Sequence, residues 1–303
     1  MEYAAYKFKF IAPVHFGQRK LTSCEMTFSA DRLFSALCIE AVKSGELDKL
    51  LTLANENKLL FSDAFPYAGE DCFFPKPIFS VNRKNNDEDI KARKKFKKIN
   101  YLSVDKMDAY LKGEATAESL ELPKFGESSV KTSVKIANLE DNEPYRVGLF
   151  SFEENCGLYI VVGYEKESKN FAEDLLDSLT FAGIGGRRSS GLGRFELQRG
   201  TLSSEAKKRL TSEYQTYMTL SVALPTDEEL PTVMDGATYL LQKRSGFIAS
   251  ENYAKEDRKK RDGFVFSAGS CFKQKFTGQI KDVGINGAHP VYRYLKPMFL
   301  GVN

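Results

Sequence analysis

The residues best suited to chemistry in this chain form one run, Gly183-Ile184-Gly185-Gly186-Arg187-Arg188-Ser189-Ser190-Gly191-Leu192-Gly193-Arg194. Glycine reaches positive φ and carries no Cβ to hold a ligand away. Successive N–H groups in such a loop can converge on an anion, and arginine offers forked donors that match phosphate oxygens. The chemistry implied is the holding of a polyanion, with nucleic acid as the obvious ligand. Gly185, Gly186, Gly191 and Gly193, with Ser189 and Ser190 between them, are expected to allow close backbone approach. Arg187, Arg188 and Arg194 are expected to contact phosphates. The run is not a Walker A loop, because Leu192 stands where that motif needs lysine. It is not a dinucleotide fingerprint either, because Arg188 occupies the third glycine position. It also follows a helix and precedes a strand, the wrong order for both motifs.

A second candidate is His15-Phe16-Gly17-Gln18-Arg19-Lys20. It mixes an aromatic ring, a permissive glycine and polar or cationic side chains. Single-stranded RNA is commonly held by base stacking on aromatics and cationic phosphate contacts. The same loop also reads as an ordinary connection. His15 and His289 are the only histidines. His15 is therefore the one candidate acid or base for a metal-independent ribonuclease, although a histidine in a polar loop more often bonds or stacks. His289 precedes Pro290 and shapes a turn. Arg293, between Tyr292 and Tyr294, is a candidate interface or stacking residue. Asp31 heads a helix, where capping explains it. No carboxylate pairs with histidine or cysteine at metal-ligand spacing, and no Ser-His-Asp or Cys-His arrangement is visible. No catalytic residue, metal or cofactor is expected.

These loops must be positioned by regular elements. Tyr6, Phe8 and Phe10 alternate with Lys7 and Lys9, a half-buried strand. Leu33, Phe34, Leu37, Cys38, Ala41 and Val42 form a helical stripe that Gly45 ends. An irregular stretch follows, and about Asn82 to Lys98 reads as an exposed excursion. Val130, Thr132, Val134 and Ile136 alternate as a strand, with Lys131 and Lys135 on its other face. Gly157 to Tyr164 is a near-continuous apolar strand. Phe171, Leu175, Leu176 and Leu179 mark an amphipathic helix, the glycine-rich run follows, and Phe195 and Leu197 open a strand. The order β-α-insertion-β-β-α-loop-β is ferredoxin-like (RRM-like). The expected class is α+β with two such units: residues 1–202, with an insertion at about 50–128 and the glycine-rich loop at 183–194, and a degenerate second unit at 214–303. Short strands are expected there at Tyr217 to Leu224, Ala237 to Ile248, Gly263 to Phe266, Lys275 to Ile280 and His289 to Leu295.

The 303 residues, 42% hydrophobic and 12% aromatic, suit a folded protein of one or two domains. No window approaches the ~20 apolar residues that span a bilayer, and charges interrupt the N-terminal run, so no signal peptide is expected. Five scattered cysteines without C-x-x-C suggest reduced thiols in a cytoplasm. The net charge of +3 says little, but Lys91 to Lys98 carries six cations in eight residues and Arg258-Lys259-Lys260-Arg261 adds another cluster. Such runs are footprints for polyanions or solvated loops.

Four segments together resemble the RAMP superfamily of CRISPR-associated proteins: the loop GIGGRRSSGLGRF, the opening strand followed by VHFG, the helix start SADRLFSAL, and HPVYRY. The likeness is strongest to the fourth subunit of type III-A Csm effector complexes. It spans nearly the whole chain, although about 50 to 125 matches no motif. The resemblance implies a non-catalytic subunit of an antiviral ribonucleoprotein. It would cap the 5′ handle of the guide RNA (crRNA), and it would join the large palm-domain cyclase/nuclease subunit to the filament of backbone RAMP subunits. It would meet target RNA only indirectly and would not meet a membrane. It also implies a thumb-like hairpin, placed either near Arg83 to Lys98 or on the strand bearing Lys131 and Lys135. The processing ribonucleases of the same superfamily supply the alternative, a metal-independent endoribonuclease acting on precursor crRNA.

Overall fold

The computed structural model describes residues 1–18, 20–79, 90–136, 142–250, 252–254 and 258–303. In chain order the elements begin with β1 (Glu2–Phe10), β2 (Phe16–Gln18), β3 (Lys20–Glu25), α1 (Ala30–Lys43) and α2 (Leu47–Asn55). Next come β4 (Leu59–Phe61), β5 (Phe65–Ala68), β6 (Asp71–Pro75), α3 (Ile90–Lys98), β7 (Tyr101–Ser103) and α4 (Met107–Leu111). Then follow β8 (Gly126–Ile136), β9 (Asn142–Phe152), β10 (Cys156–Tyr164), α5 (Lys169–Ala182), β11 (Phe195–Gly200) and α6 (Ser204–Thr211). The remainder is β12 (Tyr217–Thr219), α7 (Leu230–Val233), β13 (Leu241–Arg244), β14 (Gly263–Phe266), β15 (Cys271–Phe272), β16 (Gln279–Asp282), β17 (Tyr292–Leu295) and β18 (Phe299–Gly301). The class is α+β with antiparallel pairing throughout these ladders.

The central sheet runs β11-β1-β10-β5-β6-β7, with β4 also paired to β10. Strand β10 is buried along its whole length, as a strand apolar on both faces must be. One face presents Tyr6, Phe8, Leu158, Ile160 and Val162 to Leu33, Phe34 and Leu37 of α1 and to Phe171, Leu175 and Leu176 of α5. Full burial of side chains such as Phe8 and Leu158 contributes roughly 1.5–3 kcal/mol each. The other face, with Ala5, Tyr159 and Val161, meets Phe74, Leu102 and Met107 and also Met218 and Leu300.

Several expectations need correction. The strand bearing Val130 and Val134 does not join the central sheet. It pairs with β9 in a hairpin of two 11-residue strands, in register from Gly126–Phe152 to Ile136–Asn142. Glu127, Ser128, Ser129, Lys131, Thr132 and even Val130 are exposed, so this strand lacks the apolar face that burial demands. The buried strands Leu59–Phe61 and Phe65–Ala68 take the place beside β10 instead. The stretch that looked irregular is part of the core. Phe96, expected on an exposed excursion, is 7% exposed and stacks on Tyr110. Residues 80–89 of that excursion, Arg83 among them, lie outside the described residues. Val42, assigned to the apolar stripe of α1, is exposed.

The C-terminal portion forms small sheets: β15-β12-β18, β13-β14 and β16-β17. The strand expected over Tyr217 to Leu224 covers only Tyr217–Thr219, and that over Ala237 to Ile248 only Leu241–Arg244. Strand β17 packs on α1, and Tyr294 enters the first core against Phe34 and Phe61. Among the described residues no helix is long and apolar enough to cross a membrane.

Candidate nucleic-acid interface

The glycine-rich run leaves α5 through Gly183, at φ +69. It is pinned at three points: Ile184 N–H donates to Gly193 O (3.0 Å), Gly193 N–H to Pro13 O (2.9 Å), and Gly186 N–H to His15 O (2.9 Å). Ile184 is buried beneath it. Gly193 sits at φ +70, and a Cβ there would lie 2.0 Å from Ile184 O, so this glycine is required by the loop's own closure. Gly193 is buried, and its N–H is already used. The expectation that it approaches a ligand is therefore corrected. Gly186 is half-buried with its N–H on His15. Gly185, Gly191, Ser189 and Ser190 are exposed, as are Arg187 and Arg194, and Arg188 is half-exposed. Arg187 adopts the left-handed conformation, at φ +60, and opens a single 3-10 turn over Arg188–Ser190. Arg188 Nη1 reaches back to Gly183 O at 3.5 Å, so the closed backbone leaves Arg187 and Arg194 as its more exposed cations.

His15 and Phe16 play other parts than expected. Phe16 is 1% exposed, with its ring edge-on to Phe10 and Phe28. It has no free face for a base and belongs to the core. His15 is buried, and its Nδ1–H donates to Gly148 O of β9 at 2.6 Å. A Cβ at Gly17 or Gly186 would come within 2.8 or 2.9 Å of the imidazole. His15 therefore brackets three segments: its own loop, the glycine-rich run and the long hairpin. A base enclosed in that way has no place for a scissile ribose, which argues against the acid–base role. Gly17 accepts a hydrogen bond from Arg32 Nη2 at 2.5 Å, and Lys20 is exposed on β3. Arg19, and the side chains of Gln18 and Lys135, lie outside the described residues.

The sequence offered the strand of Lys131 and Lys135 as a candidate hairpin, but gave no sign of Tyr145 on its partner strand. Tyr145 of β9 receives a hydrogen bond from Arg187 Nη1 (3.2 Å), and the guanidinium carbon lies 4.8 Å from its ring centre. Such cation–π contact orients an exposed arginine at a gain of about 0.5–1 kcal/mol. Lys131 projects from the partner strand and is exposed. The hairpin and the arginine loop therefore form one continuous surface.

Beyond β2 lies a buried charge cluster at the head of α1. Arg244 donates to both oxygens of Asp31, Nη2 to Oδ1 at 2.6 Å and Nε to Oδ2 at 3.0 Å, and also to Ser29 Oγ at 2.7 Å. Burial pushes the Asp31 carboxyl up, but the charge of Arg244 and the bonds from Ser29 and Arg244 outweigh it and hold it below the ordinary value. Helix capping does not explain Asp31, because its carboxyl is taken up by Ser29 and Arg244 and it is Asp63 Oδ1 that accepts the Ala30 N–H at this helix end, at 2.7 Å. Arg293 is 5% exposed. Strand alternation turns it away from Tyr292 and Tyr294, so it is corrected from a stacking residue to a buried cation beside the Asp31–Arg244 pair. Burial lowers its pKa. Asp63 stands nearby, its carboxyl pushed up to about 7, chiefly by burial. No group of three or more potential metal ligands occurs among the described residues.

Comparison with known proteins places this geometry. The family described as the CRISPR Csm4 C-terminal domain matches residues 212–302. The whole backbone superposes on a chain of the crystal structure of the Csm3–Csm4 subcomplex in the type III-A CRISPR-Cas interference complex, with TM-score 0.67, 19% identity and full coverage of both chains. It also superposes on a chain of the Csm1–Csm4 cassette in complex with pppApA, with TM-score 0.66, 18% identity and coverage of 99% and 98%. The fold is that of CRISPR effector-complex proteins. At the sequence level the chain is 39% identical to the CRISPR system Cms protein Csm4 of Mycobacterium tuberculosis (strain ATCC 25618 / H37Rv) over 95% of this chain and 94% of that one. It is 36% identical to the protein of the same name from Streptococcus thermophilus, over 94% of each. The chain belongs to the Csm4 family.

Proposed function

We propose that this chain is a non-catalytic, RNA-binding subunit of a type III-A Csm effector complex. In this reading it caps the 5′ handle of crRNA and joins the large cyclase/nuclease subunit to the backbone RAMP filament. One observation carries the reading: Arg187 and Arg194 are exposed, and Arg188 half-exposed, on a loop closed by its own hydrogen bonds and fastened through His15 and Tyr145 to the long hairpin. A rigid cationic ridge beside a projecting hairpin suits a strand held by its phosphates. The β8–β9 hairpin, with Lys131 exposed, is the better candidate for the thumb, because the described part of the other segment is a short helix. The partners follow from the solved Csm1–Csm4 and Csm3–Csm4 assemblies whose chains share this backbone.

The strand order β11-β1-β10-β5 with α1 and α5 on one face supports reading residues 1–202 as a ferredoxin-like unit. Residues 214–303 are read as a second, much reduced one. The endoribonuclease alternative is disfavoured by the enclosure of His15.

The test is binding of a crRNA handle oligonucleotide across a salt series. Each phosphate contact on a single strand contributes about 0.7 to the slope of log K against log salt. The double variant Arg187→Ala/Arg188→Ala should therefore flatten the slope by about 1.4 and weaken binding. Unchanged affinity and slope would refute the assignment.

A further inference from the structure

Arg293 of β17 is 5% exposed, yet its guanidinium makes no hydrogen bond or ion pair among the described residues. The β16–β17 ladder sets Lys281 directly opposite it, on the same face. Lys281 is exposed and has no acidic partner among the described residues either. Like charges opposed across a ladder destabilise it, and a buried cation without a counter-charge costs more. Arg293 Nη1 lies 3.5 Å from where a Cβ on Gly263 would stand, so the guanidinium rests against the start of β14. Gly263 is paired in turn with Arg244.

Two further donors belong to the same seam. Lys260, just ahead of β14, is half-buried, and its Nζ meets only Ser35 Oγ of α1, at 3.5 Å, among the described residues. Arg244 spends Nε and Nη2 on Asp31 and Ser29 and leaves Nη1 unused. Burial lowers the Lys260 pKa most; Asp31 acts the other way, and Arg293 and Arg244 add to the lowering. The acids close by are already engaged. Asp31 holds Arg244, and Asp262 is exposed and paired with Lys243 at 2.7 Å. Asp282 accepts the Gly284 and Val291 N–H groups, each at 2.8 Å, and Asp63 accepts those of Ala30 and Val222. The seam therefore carries more cationic donors than the chain supplies acceptors for.

We propose that the seam between α1, β14 and β17 is a phosphate seat, in which Arg293 and Lys260 hold one phosphate group and Lys281 and Arg244 Nη1 are further donors. A carboxylate is planar, and a single arginine fork satisfies it, as Arg244 does for Asp31. Donors arriving from separate segments suit a tetrahedral anion with oxygens on several sides. Such a group belongs either to a phosphodiester of bound RNA or to a free phosphate or nucleotide. The seat goes beyond the RNA-binding reading, because its occupation does not require a strand on the glycine-rich loop.

The test is thermal unfolding of the full chain in chloride and in inorganic phosphate at equal ionic strength. Arg293→Met removes the unpaired charge, so its midpoint in chloride should equal or exceed that of the wild type. An arginine that merely supports the fold would give a lower one, which would overturn the proposal. Phosphate also stabilises proteins by exclusion from their surface, and this variant measures that background. At phosphate tenfold over its Kd, the wild-type midpoint should rise by about 3 °C more than that of the variant. Lys281→Ala, at an exposed position, should keep the chloride midpoint and lose part of the phosphate response. A wild-type response no larger than that of Arg293→Met overturns the seat, and so does acetate acting as strongly as phosphate, which assigns the donors to a carboxylate. Binding of the handle oligonucleotide across a salt series separates the two sources. If a strand phosphate occupies the seat, Arg293→Met should flatten the slope by about 0.7. An unchanged slope with a lost phosphate response assigns the seat to a free phosphate. Phosphate binding without any handle binding overturns the RNA-binding reading and leaves the seat standing, whereas handle binding without a phosphate response overturns the seat alone.

Discussion

Replacing Arg244 with methionine gives the sharpest test of how this structure is held together. The side chains of Arg244 and Asp31 are 8% and 10% exposed, and the guanidinium makes three hydrogen bonds to Asp31 and Ser29. Removing the arginine leaves a carboxyl in a buried site without its cation, a change that costs about 3–5 kcal/mol. In a chain of this size each kcal/mol moves the midpoint by about 2 °C, so thermal unfolding should fall by about 6–10 °C at neutral pH. The effect depends on pH. The folded Asp31 titrates below its ordinary value, so its contribution is present above the unfolded carboxylate pKa and is lost as pH falls through the folded one. The gap between wild type and variant should therefore narrow in acid. Asp31→Asn combined with Arg244→Met should restore much of the loss, because neither partner is then charged and buried alone. A drop below about 2 °C, a gap that does not change with pH, or a double variant that loses the sum of the single losses would refute this account.

Gly193→Ala should disorder the glycine-rich loop, since the new Cβ would meet Ile184 O at a positive φ. Loss of amide-exchange protection at Gly186 and Ile184, with the central sheet still protected, is the expected signature. Asp63→Asn should change stability with pH in the opposite sense to Asp31. A carboxyl raised to about 7 favours the fold below its unfolded pKa and loses that contribution as pH rises through 7. The variant should therefore gain relative to wild type between pH 4 and 8, by up to about 4 kcal/mol before discounting for the partial exposure of Asp63, as read by urea unfolding. Cys38 and Cys271, both pushed up to about 12 chiefly by burial, should resist alkylation at pH 8 in the folded protein and react on unfolding. Tyr145→Ala should free Arg187 and weaken handle binding about two- to fivefold, from a contact of about 0.5–1 kcal/mol. Tyr145→Phe should lose less, because the ring remains.

The parts of this fold legible in sequence were those whose pattern is local. Alternation along Glu2–Phe10, the unbroken apolar run of β10 and the 3.6-residue stripes of α1 and α5 each follow from a single neighbourhood of the chain. The arginine loop was legible because glycine and arginine crowd together there for no ordinary turn. What stayed hidden depends on distant partners. Asp31 looked like a helix cap because Arg244 lies 213 positions away. Phe16 looked available because nothing nearby in sequence shows that Phe10 and Phe28 enclose it. Tyr145 had no marker at all, since its role exists only once the hairpin lies beside the loop. The short strands Leu59–Phe61 and Phe65–Ala68, interrupted by Pro66, gave too few residues for a period to register.

The placement of Tyr294 has a consequence for biogenesis. Its ring stands against Phe34 and Phe61, its hydroxyl oxygen accepts the Phe61 N–H at 3.1 Å, and Leu300 closes the opposite side of the sheet. A nascent chain emerging from the ribosome therefore cannot complete either of its two main apolar interiors until about residue 300 has left the exit tunnel. The two interiors therefore close only once the segment from β17 to β18 is in place, and fragments ending before β17 leave Phe34 and Phe61 without the Tyr294 ring against them.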